Sequence, residues 1–136
     1  MPNGFIYKCK NCGKEETLHM GIGWVCPNPT EVCLDIENGL YGKRAQEYYT
    51  KYKDIVWVRP SQEIYACRCG NIEEKLHIMV FDDCEPPLRN RVLTPRQKCS
   101  KCGSIMRMLK EPPAKIPCPS CGGDMELDEF LEILWD

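Results

Sequence analysis

The chain has 136 residues, 18 Lys and Arg against 20 Asp and Glu for a formal net charge of −2, an apolar fraction of 43% and 11 cysteines. That is room for one ordinary domain or two very small ones, and lobes that small rarely bury enough apolar surface to fold without a disulfide or a metal. No stretch approaches the roughly 20 apolar residues of a membrane span, and "MPNGFIYKCK" is not the charged-then-apolar start of a secretory signal. The reading is therefore a cytoplasmic protein with reduced or metal-bound thiols, and the odd cysteine count suits ligands plus bystanders better than a complete disulfide set.

In chain order, "FIYKC" reads as a strand running into the turn Cys9-Lys10-Asn11-Cys12, and "GIGWVCPNP" as a loop. "TEVCLDIENG" reads as a short helix with Thr30 as N-cap and Gly39 as C-cap, and "YGKRAQEYYTKYKD" as a second helix. Its Tyr48, Tyr49 and Tyr52 are expected to pack against a sheet rather than to stack on bases. "EIYAC" enters a second cysteine turn, Cys67-Arg68-Cys69, and "IEEKLHIMVF" leaves it as a strand with Ile72, Leu76, Ile78 and Val80 on or near one face.

Residues 84–97, "CEPPLRNRVLTPRQ", carry three prolines and little periodicity and read as a linker. Beyond it, "KCSKCGSIMRMLK" is a turn and strand, "EPPAKIP" a connecting turn, and "CPSCGGDMEL" a returning turn and strand. Leu127, Phe130, Leu131, Leu134 and Trp135 then follow the spacing of an amphipathic helix, which closes the protein's own core or offers a handle to a partner. The expected organisation is a module over 1–83, a linker over 84–97 and a second module over 98–136.

Four cysteine pairs carry the chemistry: Cys9/Cys12, Cys67/Cys69, Cys99/Cys102 and Cys118/Cys121, each followed by a glycine, Gly13, Gly70, Gly103 and Gly122. A tight turn that aims two thiolates at one ion often needs positive φ at the next residue, where glycine has no Cβ penalty. Backbone N–H groups in such a turn point at the sulfurs. The third and fourth pairs are separated by the 15 residues of 103–117, within the spacing of a tetrahedral zinc site. Pairing in sequence order then puts Cys9, Cys12, Cys67 and Cys69 on one ion and Cys99, Cys102, Cys118 and Cys121 on another. Cys26, Cys33 and His19 are rival ligands for the first site. His77 reads as an ordinary histidine and Cys84 as a free thiol.

The segment 99–125, "CSKCGSIMRMLKEPPAKIPCPSCGGDM", resembles the zinc-ribbon superfamily. The whole layout, with its "YKCKNCG" opening, "GIG" loop and "GLYG" helix start, is similar to uncharacterised bacterial proteins with two zinc-ribbon-like modules. The resemblance implies zinc binding and a small α+β, metal-stabilised fold: two ribbon-like lobes of short antiparallel strands, with a helical insertion in the first. It implies no activity, and "CPSCGG" also resembles a rubredoxin knuckle, which holds iron.

The chain shows no catalytic triad, phosphate loop or H-E-x-x-H helix, and a closed four-cysteine site leaves no position for substrate, so the expected protein is not an enzyme. Two structural zinc ions supporting a protein-interaction surface is the first reading. Nucleic acid is the alternative, because residues 88–115 hold eight Lys or Arg and one acid. A rubredoxin-like iron centre or a dithiol redox protein is the third reading, iron being the lesser choice of metal.

Overall fold

The computed structural model describes residues 3–21, 28–82 and 91–129. The fold is a small α+β arrangement of two helices and eight strands among the described residues. The strands are β1 (Asn3–Cys9), β2 (Glu15–Met20), β3 (Val56–Ala66), β4 (Ile72–Asp82), β5 (Arg91–Val92), β6 (Arg107–Met108), β7 (Lys115–Pro117) and β8 (Asp124–Glu129). They form two four-stranded sheets, ordered β2-β1-β8-β7 and β5-β4-β3-β6.

Helix α1 spans Pro29–Glu37 and α2 spans Lys43–Tyr52. Asn28, not Thr30, caps α1: its side-chain oxygen accepts from the Thr30 N–H at 2.8 Å, which leaves Pro29 at the first helical position, where its missing N–H costs nothing. Gly39, just beyond the helix, sits at φ +81°, as a C-terminal glycine should.

The chain divides into two compact units that interleave in sequence. Of the described residues, 3–21, 62–75 and 96–129 belong to the first, and 28–61, 76–82 and 91–95 to the second. This differs from modules over 1–83 and 98–136 joined by a linker. The N-terminal strand β1 pairs antiparallel with β8 near the other end of the described chain, with Cys9 opposite Met125 and Tyr7 opposite Leu127. The expected linker is also structured where it is described: β5 pairs with β4, Leu93 is buried, and its N–H donates to the Ile78 carbonyl.

Each unit has its own core. In the second, Val32 and Ile36 of α1 and Ala45 and Tyr49 of α2 pack with Val58, Ile78, Val80 and Leu93. Tyr48 and Leu76 pack against this cluster, so Tyr48 and Tyr49 serve the core as their spacing suggested, while Tyr52 contacts the Tyr48 ring. In the first unit, Phe5, Tyr7, Ile64, Ile116 and Met125 surround Cys9 and Cys118. Tyr7 is fully buried, and its hydroxyl donates to the Pro113 carbonyl at 2.6 Å, so the buried polar group is satisfied. Burial pushes the Tyr7 hydroxyl up to about 12.

Two local expectations change. Residues 15–20, assigned to no element from the sequence, form β2 along the full length of β1. Leu127 stands in strand β8 instead of opening a helix, while Phe130, Leu131, Leu134 and Trp135 lie outside the described residues.

Candidate metal centres

Each cysteine pair sits at a sharp reversal between antiparallel segments. Cys9/Cys12 joins β1 to β2, Cys67/Cys69 joins β3 to β4, and Cys118/Cys121 joins β7 to β8. Cys99/Cys102 is flanked by the bridge between Lys98 and Ile105. Three of the turns share one hydrogen-bond pattern: the N–H groups of Gly13, Gly103 and Gly122 donate to the carbonyls of Cys9, Cys99 and Cys118 at 2.9, 2.9 and 3.0 Å. The first cysteine of each donates to the carbonyl five residues ahead, Lys14, Ser104 and Gly123.

The Cys67 turn is the same device shortened by one residue. The Gly70 N–H donates to the Cys67 carbonyl at 2.9 Å, and the Cys67 N–H donates to Asn71, four residues ahead. Gly13, Gly103 and Gly122 lie at φ +74° and Gly70 at +92°, with open space where a Cβ would be. Backbone conformation, not crowding, is what requires glycine there.

The four turns meet in two groups, but crosswise. Cys9, Cys12, Cys118 and Cys121 form one cluster, and Cys67, Cys69, Cys99 and Cys102 the other, with the sulfurs of each within 4.8 Å of one another. This corrects the pairing in sequence order. The short 103–117 spacer does not close a site: β6 pairs with β3, placing Cys99/Cys102 beside Cys67/Cys69, whereas β8 pairs with β1 and carries Cys118/Cys121 to Cys9/Cys12. Loop closure hardly opposes this, because cost grows only with the logarithm of length. Bringing together cysteines 106 positions apart, as for Cys12 and Cys118, costs only about 2 kcal/mol more than a 15-residue closure. Strand pairing and the burial of Phe5, Tyr7 and Met125 outweigh that.

Both clusters fit a tetrahedral ion. Four sulfurs at about 2.3 Å from zinc stand about 3.8 Å apart. The Sγ–Sγ distances are 3.5 Å for Cys9–Cys121, 3.6 Å for Cys12–Cys118, 3.3 Å for Cys67–Cys102 and 3.8 Å for Cys69–Cys99. In each turn the first cysteine is buried and the second exposed. The thiols of each cluster split: N–H groups of Cys121 and Ser120 bring Cys118 down to about 6, while the neighbouring sulfurs and burial push Cys121 and Cys67 up to about 12. The Cys102 N–H, the Asn71 amide and the Lys101 N–H bring Cys99 down, also to about 6.

The second cluster has an outer layer that the sequence reading missed. Buried Asn71 donates from Nδ2 to the Cys99 sulfur at 3.4 Å and to Glu73 Oε2 at 3.0 Å. Glu73 in turn accepts the Ser100 N–H at 3.1 Å. These residues immediately follow the Cys67 turn, and their only sequence signal is that position.

Among the described residues, the rival ligands His19 and Cys33 belong to neither group. His19 directs Nδ1 to Glu74 at 2.8 Å, and Glu74 also accepts the His19 backbone N–H. Cys33 packs against the core of the second unit and hydrogen-bonds Tyr49, whose hydroxyl is pushed up to about 12 by that bond and by burial. His77 is buried in β4. Cys26 and Cys84 lie outside the described residues.

No family model matches the chain, and no curated protein or solved structure matches it either. Each cluster joins two cysteine turns at strand ends, and four thiols per cluster make this a candidate metal-binding protein. No described helix is long and apolar enough to cross a membrane.

Proposed function

We propose that this is a non-catalytic zinc protein in which two structural ions, each held by four cysteines, organise surfaces that bind other macromolecules. The observation that carries the reading is the pair of closed four-sulfur clusters at tetrahedral spacing. Four thiolates saturate a zinc ion and leave no coordination position for water or substrate, so the ion contributes to folding instead of hydrolysis. Zinc is preferred to iron because nothing in the reading requires electron transfer, although an iron tetrathiolate has the same shape.

A protein partner suits the second unit, where Leu34, Leu40, Ile55 and Trp57 are exposed and Trp57 lies 5.2 Å from the Phe81 ring. A nucleic-acid partner is favoured by a different observation on the first unit, the exposed cations around the second cluster, taken up below.

Native mass spectrometry with elemental analysis tests the reading. Two zinc ions per chain are expected, with one lost in Cys67→Ser/Cys69→Ser. Red protein holding iron would replace it with an electron-transfer role, and a metal-free folded chain with reactive dithiols would replace it with thiol exchange.

A further inference from the structure

The two clusters differ in the charge around them. Beside the first, every nearby lysine of β1 and its turn has a carboxylate partner: Lys8 with Glu15 at 4.0 Å, Lys10 with Glu126 at 2.8 Å and Lys14 with Glu16 at 3.5 Å. The segments that build the second cluster carry Arg68 inside the Cys67 turn, Lys101 inside the Cys99 turn, Arg96 and Lys98 leading into that turn, with Lys98 bridged to Ile105, and Arg107 on β6 opposite Ala66. All five are exposed, and among the described residues none forms a salt bridge. Among the described residues, Glu73 is bonded into this turn by Ser100 and Asn71 and also feels the charge of Lys101.

The crossed pairing produces this surface. Arg68 lies outside the basic 88–115 stretch, yet the Cys67–Cys102 and Cys69–Cys99 approaches bring its turn against that of Lys101. A tetrathiolate site carries −2, because four thiolates outweigh one Zn2+. Five cations exceed that charge and Glu73 together, so this end of the unit stays net positive. The first cluster, with its lysines already neutralised, is net negative. Apolar Ile105 and Met108 are 50% and 44% exposed on either side of Arg107 in sequence. Exposed cations with exposed apolar side chains close to them in sequence suit a strand whose phosphates meet the former and whose unstacked bases lie over the latter.

We propose that the face of the first unit formed by Arg68, Arg96, Lys98, Lys101 and Arg107 around the second cysteine cluster binds single-stranded nucleic acid through its phosphates. The proposal rests on the reading that a metal ion holds the two turns together. Folded turns present five cations in fixed positions; an unfolded loop would present a diffuse charge of the same size.

The test is fluorescence anisotropy of a labelled 20-nucleotide single strand, as RNA and as DNA, with the full-length metal-loaded protein across a salt series. Log affinity should fall with log salt with a slope no steeper than about −3.5, from at most five phosphate contacts at about 0.7 each. Arg68→Glu, Lys101→Glu and Arg107→Glu should each weaken binding at least tenfold at low salt while metal content and thermal unfolding stay at wild-type values. Lys14→Glu, beside the first cluster, should leave affinity unchanged.

Absence of binding by a protein that carries two metal ions would overturn the proposal and leave the metal reading standing. So would a stronger grip on duplex than on single strand, equal binding of a polyglutamate peptide, or an equal loss in Lys14→Glu. Failure to find metal would instead remove the reading beneath it.

Discussion

The sulfur of Cys9 lies 3.5 Å from that of Cys121, 112 positions further along the chain. The first cluster therefore ties the start of the described chain to its end, while the second lies between them in sequence. Double substitutions report this directly. Cys12→Ser/Cys118→Ser should cost one metal ion, because both residues belong to one cluster. Cys12→Ser/Cys102→Ser should cost both. Pairing in sequence order predicts that each of these variants loses both ions, so the stoichiometry of the first, by native mass spectrometry, decides between the two pairings.

What the sequence made legible was the turns, and what it hid was their partners. Each turn is a local object: two thiols and a glycine at φ near +74° or, in the shortened case, +92°. Those requirements appear within six residues. The pairing depends on which strands meet, β1 with β8 and β3 with β6, and nothing in "FIYKC" or "GDMEL" names its neighbour. The 15-residue spacer misled for the same reason, since it spans the distance between two sheets as readily as it closes one ribbon. The existence of α1 and α2 was readable in the sequence, although Thr30 was taken for the cap that Asn28 supplies, whereas β2, with "EETLHM" and no strong alternation, was not.

Metal removal should act on the two units unequally. The clusters lie entirely within the first, while the second has its own buried set of Val32, Ile36, Ala45, Tyr49, Val58, Ile78, Val80 and Leu93. Chelation is expected to abolish amide-exchange protection in β1, β8 and the cysteine turns while α1 and α2 keep theirs, with little change in helical circular dichroism. Loss of helix protection in step with the metal would show that the second unit depends on the ions as well.

Asn71 is the residue whose loss should separate the clusters by affinity. Its amide bonds the Cys99 sulfur, and removing such an outer partner commonly costs 10- to 100-fold in metal affinity. Asn71→Ala should therefore lose one ion to a competing chelator at concentrations that leave the other in place. Equal release of both ions, or wild-type affinity at both, would mean that the contact does not support the metal.

Gly103→Ala tests the backbone requirement without touching a ligand. A Cβ at Gly103 meets nothing within 4 Å, so any cost comes from holding alanine at φ +74°. That is about 1–2 kcal/mol, enough to lower the thermal midpoint by several degrees in a protein of this size. An unchanged midpoint would show that the turn relaxes to another conformation once the glycine is replaced.

His77 gives the second unit a pH dependence of known sign. Burial in β4 disfavours the imidazolium and holds the side chain below its ordinary value of 6.5. The unfolded chain accepts a proton near that ordinary value and the folded chain resists it, so the stabilising difference is complete above it and is lost as pH falls. One such proton changes stability by at most about 1.4 kcal/mol per pH unit. Acid also releases metal by protonating thiolates, so the useful quantity is the difference between wild type and His77→Gln, followed through the helices with metal content measured at each pH. The variant should lose less stability than wild type between pH 7 and 5. Parallel curves would assign the acid sensitivity to the cysteine clusters alone.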